Sequence, residues 1–242
     1  MNDWFIWNGV NCTTYGIHVS ELPSLTLPQE RVTFTTVPGR AGSYTVKEGD
    51  YVYEDLTLTV QCFLEDPTQI PAIGAWLRGS GNVTFANRTG GYYKAHVTNQ
   101  IPFETVIKGR AHRTFSIVFQ CKPFFYLNDN APITITTSGT IVTNPGFAPS
   151  EPLFQFSHVG DFTLTINGQM VNFDNIGTGS GLYMDCEHKD AYLQTVLDGV
   201  TTIRNYNNYM EGEFPVLIPG SNAISWDGNL DYIIITPNWR TL

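Results

Sequence analysis

Residues 162–173 read FTLTINGQMVNF, and they decide the fold of the second half of the chain. Apolar residues occupy every second position as far as Ile166, Asn167-Gly168 follows, and Met170 begins the returning segment. Such alternation is typical of a strand with one buried face, and Asn-Gly favours the tight turn of a two-residue hairpin. The stretch therefore predicts a β-hairpin.

The sequence on both sides of this hairpin continues as short β segments separated by turn residues. Leu182, Met184 and Cys186 alternate with polar residues, and residues 232–235 form an apolar run. Turn signals occur at Asn144-Pro145-Gly146, at Pro219-Gly220-Ser221-Asn222 and at Asp227-Gly228, where we expect a hairpin apex. Because no helical period appears, the spacing predicts a compact β-sandwich.

The first half combines strands with one helix. Alternating segments lie at residues 56–64 and 115–121, and a threonine-rich strand begins at Phe34. The helix is predicted to open at Asp66-Pro67, or to begin later because Pro71 must lie in its first turn, and to close at Gly79. Its apolar stripe is formed by Ile70, Ile73, Trp76 and Leu77. We therefore expect a mainly β protein whose N-terminal domain is a β-sheet or barrel-like structure with one helix.

The boundary between two domains is expected at residues 128 and 129. The sequence there is polar and turn-forming, and the charge distribution changes. Residues 1–127 carry ten acidic and ten basic side chains, whereas residues 128–242 carry twelve acidic and three basic ones, so the second half holds the whole net charge of −9. A neutral half tolerates packing against identical copies, and an acidic half stays solvated. We predict domains at residues 1–128 and 129–242.

Pro38, Gly39, Arg40 and Gly42 lie between two strand signals and indicate a long exposed hairpin or loop. Two interpretations stay open. The segment is a mobile loop, or it is an arm that reaches a neighbouring copy and pairs with the edge of its sheet. Charged residues make up 14% of the chain, against roughly 25% in typical soluble domains. This deficit indicates that copies of the chain cover part of its surface.

Composition excludes several classes of function. An acidic chain lacks the basic footprint that sequence-specific nucleic-acid binding requires. The sequence shows no basic leader and no apolar run of membrane-spanning length, so we expect neither secretion nor membrane insertion. The four cysteines have no zinc spacing, which predicts reduced thiols in protein cores: Cys12, Cys62, Cys121 and Cys186.

No motif in the sequence predicts a catalytic, cofactor-binding or metal site. The five histidines form no metal-binding or catalytic pattern, and the glycines at positions 177, 179 and 181 match no phosphate-binding loop. The i, i+2 spacing of Asp185 with Glu187, and of Glu211 with Glu213, predicts that each pair shares the solvated face of a strand. For Trp226 and Trp239 we expect packing rather than ligand binding.

Two series of segments follow one another along the chain in a specific order and spacing. The series in the first half comprises Val37-Pro38-Gly39-Arg40 with Gly42, residues 53–64, Trp76-Leu77, residues 90–95 and residues 119–124. The series in the second half comprises residues 143–146, Glu151-Pro152, residues 165–168, Phe214-Pro215, residues 219–222 and residues 237–240. Together they resemble the distal tail protein family of bacteriophages with long, non-contractile tails, also found in prophages.

The resemblance implies a structural virion protein that forms a homo-oligomer, a hexameric ring, at the distal end of the tail. It implies a ring built from N-terminal domains and a galectin-like sandwich in each C-terminal domain. The implied partners are the tail tube protein, the tail-tip protein and the receptor-binding protein, and DNA passes through the ring. The protein would be made in the bacterial host cytoplasm and act in the virion tail, without enzymatic activity or cofactors.

Two other functions stay open on sequence grounds. In a carbohydrate-binding adhesin, Trp226 and the loop at residues 205–208 would line a shallow site. In a glycan hydrolase, the two carboxylate pairs would supply the acid and the base or nucleophile. Binding of the isolated second half to a glycan array would favour the adhesin, and turnover of cell-wall polymers would favour the hydrolase.

Overall fold

The computed structural model of the chain describes residues 3–105 and 112–242, and it confirms a mainly β protein. The chain divides into two compact units, residues 1–128 together with Leu242 and residues 129–241, which we call unit 1 and unit 2. Among the described residues, no helix combines the length and the hydropathy needed to cross a membrane.

Unit 1 is built on an antiparallel sheet. Its strands are β1 (Phe5–Trp7), β2 (Val10–Asn11), β3 (Ile17–Glu21), β4 (Val32–Thr36), β5 (Ser43–Lys47), β6 (Leu56–Leu64), β7 (Ser80–Phe85), β8 (Arg88–Val97), β9 (Glu104–Thr105) and β10 (Arg113–Leu127), with helix α1 at Ile70–Trp76. The strands pair in the order β2-β1-β7-β8-β10-β6-β3, β9 pairs with β10, and β4 and β5 form a separate two-stranded ladder.

The core of unit 1 lies on the apolar face of β6 and β10. The two strands pair from Leu56 opposite Cys121 to Leu64 opposite Arg113, and every second residue of β6 is buried. Cys62 and Cys121 lie in this core, as the alternation predicted. Removing apolar side chains from water is favourable, so the apolar residues of both strands lie on the covered face of the sheet.

The helix of unit 1 is shorter than predicted. Asp66 caps a 3₁₀ turn, Pro67–Gln69, by accepting a backbone N–H at 3.0 Å, and α1 begins only at Ile70. Ile73 and Leu77 are buried in the core of the sheet, which confirms the predicted stripe at these positions. Capping by Asp66 therefore starts a 3₁₀ turn that leads into the α-helix.

Unit 2 contains a second antiparallel sheet. Its strands are β11 (Ile133–Ile135), β12 (Thr140–Asn144), β13 (Leu153–Ile166), β14 (Gln169–Phe173), β15 (Thr178–Asp185), β16 (Asp190–Leu197), β17 (Val200–Asn205), β18 (Met210–Glu211) and β19 (Gly220–Thr236), and the short strand β20 (Arg240–Thr241) lies outside this sheet. The order is β11-β19-β13-β15-β16-β17, while β12 pairs with β19 and β14 pairs with β13 and β18.

The hairpin predicted at Asn167-Gly168 is confirmed, since Ile166 pairs with Gln169 across this turn and both turn residues have positive φ. The apex predicted at Asp227-Gly228 is wrong. These residues lie inside β19, where Asp227 pairs with Thr163 of β13. The ladder changes register nearby, and the positive φ of Gly228 fits a β-bulge rather than a turn.

Two buried asparagines, Asn144 and Asn222, and the exposed turn residue Asn167 hold the loops of unit 2. The Asn144 side chain donates to the carbonyl of Leu217 at 2.9 Å, and Asn167 donates to Asn222 Oδ1 at 2.8 Å. Asn222 is fully buried and accepts the backbone N–H of Ile218 at 2.8 Å. Because buried amides that keep their hydrogen bonds stabilise a fold, these turn-forming residues also fix the tertiary structure.

His158 is the buried titratable side chain at the register shift of β13. It is 3% exposed, neither ring nitrogen has a hydrogen-bond partner, and its ring packs against Phe162 at 6.0 Å between centroids. Burial lowers the pKa of His158, and the nearby backbone of Gly177 and Gly160, together with the charges of Asp161 and Asp231, opposes this shift only in part. Burial therefore favours the neutral form of the imidazole.

We expect the stability of unit 2 to fall as the pH drops below about 6.5, the usual pKa of histidine in an unfolded chain. The unfolded chain then binds a proton that the folded chain excludes, which costs up to about 1.4 kcal/mol per pH unit. Denaturant titrations at pH 7.5 and 5.5 measure the loss, and His158→Leu should reduce it. An unchanged pH dependence in this variant would show that other groups cause the loss.

Candidate assembly interface

A β-hairpin leaves the sheet of unit 1 between β3 and β6. These strands are antiparallel neighbours, so a connection of roughly two to five residues would be enough to join them. The chain instead continues through a long excursion, and we call its main part, residues 29–54, the arm. The connection is therefore much longer than joining these two strands requires.

Polar contacts lie near the base of the arm, where it joins the rest of unit 1. Glu30 and Tyr53 form a β-bridge, Lys47 Nζ lies 2.9 Å from Glu30 Oε1, and Arg31 Nε lies 3.1 Å from Glu54 Oε1. Exposed ion pairs of this kind contribute little to stability. The arm consequently depends on its backbone ladder, in which Val32–Thr36 pairs with Ser43–Lys47.

The arm is long enough to reach another molecule. About nine residues separate its base from its tip, and at roughly 3.3 Å per residue they span about 30 Å. This distance is comparable to the diameter of a small domain. Every residue from 33 to 51 is exposed in the structure.

Both faces of the arm carry exposed apolar side chains. Phe34 is opposite Thr45 and is 64% exposed. Tyr44 and Val46 lie on the other face and are 55% and 45% exposed. An isolated two-stranded hairpin is marginally stable in water, so an arm with two apolar faces is expected to gain stability from a partner that covers it.

The four residues singled out in the sequence form the tip of this arm. Arg40 N donates to the carbonyl of Val37 at 3.2 Å, and Gly39 has a φ of 81°. Proline followed by a glycine with positive φ is the signature of a type II turn, and Gly42 also has positive φ. Participation of Pro38, Gly39, Arg40 and Gly42 in an interface stays a prediction.

The exposed apolar side chains on the two faces of the arm were not predicted from the sequence. The threonine-rich pattern predicted a strand beginning at Phe34 and gave no expectation for Tyr44 or Val46. The signal was present, because apolar residues alternate with polar ones in both Val32–Thr36 and Ser43–Lys47. Strand alternation alone does not reveal whether the body of the protein covers either face.

The described residues contain no group of three or more histidine, cysteine or acidic side chains that could hold a metal ion. All four cysteines are buried and free. Burial raises the pKa of Cys12, Cys62 and Cys186, and it raises the pKa of Cys121 to about 12. Since the thiolate is the reactive form, these thiols are chemically inert.

The shared strand face predicted for the carboxylate pairs is wrong. β15 ends at Asp185, whose side chain accepts the backbone N–H groups of Glu187 and His188, both at 3.0 Å. β18 likewise ends at Glu211, before Glu213. The short Asp185 side chain reaches the N–H groups of the turn that follows β15, so Asp185 stabilises this turn.

The residues considered for a sugar site have structural contacts. Asn207 accepts the backbone N–H of Ala191 at 2.6 Å and donates to Asp190 at 2.8 Å, which fixes the loop. Trp226 is half-buried within β19, and Trp239 is buried, as its predicted packing requires.

No family model matches the chain, and no curated protein matches its sequence. Solved structures share its fold. The Dit protein of phage SPP1, described as a paradigm of the hub adsorption apparatus in phages infecting Gram-positive bacteria, is 15% identical, with 97% of this chain and 98% of that chain covered and a TM-score of 0.72.

Two structures of the phage p2 baseplate in its activated conformation, with strontium and with calcium, contain chains that are 8% identical. Each covers 97% of this chain, with 97% and 98% of those chains aligned and a TM-score of 0.52 in both cases. The predicted resemblance to distal tail proteins is thereby confirmed at the level of the fold. The galectin-like character of the second domain stays a prediction.

Proposed function

We propose that this protein is a hub at the distal end of a phage tail, where six copies close into a ring through unit 1. One observation carries the proposal: the arm is long, apolar on both faces and exposed along residues 33–51. A fold shared with a phage hub protein along 97% of the chain supports the same role.

An arm that docks on a different surface of the next copy makes a head-to-tail interface, and such interfaces close into rings. Unit 1 suits the ring because its acidic and basic side chains balance, so six copies meet without net repulsion. Unit 2 carries twelve acidic against three basic side chains and would remain in solvent around the ring.

In this role the ring joins the tail tube protein to the tail-tip and receptor-binding proteins, and DNA passes through its lumen. A unit without excess positive charge would not retain the phosphate backbone of the passing DNA. The protein would act in the virion tail after synthesis in the bacterial cytoplasm, where free thiols persist. The role is structural and needs neither catalysis nor a cofactor.

Light scattering of the purified full chain over a wide concentration range tests the ring. We expect a species with six times the mass of the 27.0 kDa protomer and, in electron micrographs, six-fold rings with a central opening. Mixing with the tail tube and tail-tip proteins should favour this species if the chain alone assembles weakly. A monomer under all of these conditions would overturn the proposal.

We also propose that residues 1–128 and 129–242 are separate folding domains, with ring formation confined to the first. Each unit has its own buried core, which includes Phe119 and Ile117 in unit 1 and Phe154 and Ile233 in unit 2. A chain of residues 130–242 is expected to be a soluble acidic monomer that unfolds cooperatively. Circular dichroism that showed no cooperative transition would contradict this separation.

A further inference from the structure

A second exposed hairpin, formed by β16 and β17, extends from the sheet of unit 2. β16 pairs with β15 only as far as Leu193 opposite Leu182, whereas its pairing with β17 continues to Leu197 opposite Val200. Gly181 of β15 lies so close to the Gln194 carbonyl oxygen that a Cβ at position 181 would be 2.1 Å from it. Past this point, the β16–β17 hairpin is not paired with β15.

The outer part of this hairpin is apolar and open. Leu197 and Val200 form a pair near the tip and are 72% and 65% exposed. Val196 and Ile203 lie on the other face and are 62% and 64% exposed. That face continues into Tyr192, whose ring stacks on Tyr183 at 5.2 Å.

β17 is also an edge strand. In the described part of the chain it pairs with β16 alone, and all six of its residues are exposed. Natural edge strands are usually short or protected by proline, lysine or bulges. β17 contains neither proline nor lysine, and its Arg204 lies over the ring of Tyr206 at 5.7 Å. Its outer backbone groups can therefore accept another strand.

Charge selects the kind of strand that can bind there. The hairpin itself carries Asp190 and Asp198 against Arg204, and unit 2 as a whole has a large acidic excess, so two copies of it repel each other. A different protein with lysine or arginine beside β-branched residues would be attracted instead. We propose that β17 is a docking edge for an extended, basic segment of another protein, which adds to the sheet as a further strand.

Main-chain hydrogen bonds would supply affinity in this complex, and contacts with Val200 and Ile203 would supply specificity. The inference is independent of ring formation, since one copy of unit 2 presents the whole edge. Failure of the ring experiment would leave this proposal standing, and failure of the experiment below would leave the ring standing.

Peptide binding to the full-length protein tests the docking edge. The probe is a labelled peptide of about nine alternating lysine and valine residues, a length that suits one strand. A second peptide has proline in place of its central valines, so that it keeps the charge and loses strand pairing. Fluorescence anisotropy should show binding about tenfold weaker for the proline peptide, because charge alone remains.

A matched pair of variants locates the site. Val200 and Ile203 lie on opposite faces, so the valines of the peptide contact one of them, whichever way the peptide docks. V200K/I203K removes the apolar contact on both faces and adds like charge, and should weaken binding of the lysine-valine peptide about tenfold. I141K/M170K replaces two other side chains of unit 2, each 64% exposed, with the same change in charge, and should have little effect. No binding, equal binding of both peptides or equal loss in both variants would overturn the proposal.

Discussion

Replacing Phe34, Tyr44 and Val46 of the arm by serine is expected to convert the proposed ring into single chains. These side chains are 64%, 55% and 45% exposed in one copy, so their substitution removes no core packing. In a ring they would be buried in each of six interfaces, where each side chain contributes on the order of 1.5 kcal/mol or more. Loss of this energy at every interface should abolish closure.

Light scattering checks this expectation, and the second hairpin provides the control. L197S/V200S/I203S removes three apolar side chains of comparable or greater exposure from unit 2. This control should retain the mass of the ring, while the arm variant should show the mass of one chain. If both variants assembled alike, the arm would not be the element that closes the ring.

Replacing Asn222 by alanine is expected to destabilise unit 2 by about 3 kcal/mol, because a buried amide loses several hydrogen bonds at once. Asn222 accepts from Ile218 N and Asn167 Nδ2, both at 2.8 Å. It donates to the carbonyls of Ile218 and Gly220 at 2.9 and 3.0 Å. The alanine variant leaves these part-buried groups without their partner.

Denaturant unfolding of the full chain measures this loss in the transition of unit 2. Asn208 is exposed and provides the control, since Asn208→Ala should change stability by less than about 0.5 kcal/mol. A loss below about 1 kcal/mol in the Asn222 variant would show that water replaces the missing hydrogen bonds.

Local signals predicted the fold wherever a turn is decided by its own residues. Asn167-Gly168 is such a turn, because positive φ at both positions is inherent to Asn and Gly. Asp227-Gly228 has similar chemistry, yet it lies within β19. The difference comes from β13, which pairs on both sides of Gly228, and a distant partner strand leaves no trace in a local pattern.

The candidate interface was only partly predictable for the same reason. The Pro-Gly turn identified the tip of the arm, since turn chemistry is local. The apolar faces of β4 and β5 resemble ordinary strands with a buried face, and only the three-dimensional structure shows that the sheet of unit 1 does not cover them. Conversely, the i, i+2 spacing of Asp185 and Glu187 fits a strand, but β15 ends at Asp185 and Glu187 lies in the turn that follows.

The long ladder between β13 and β19 determines when unit 2 can fold during synthesis. It joins Leu153 to Thr236 and Ile166 to Ile224, so its two strands are far apart in the sequence. Folds dominated by such distant pairings form slowly. The ribosome must release nearly the whole second half before β19 can pair with β13, and the nascent chain exposes apolar strands until then.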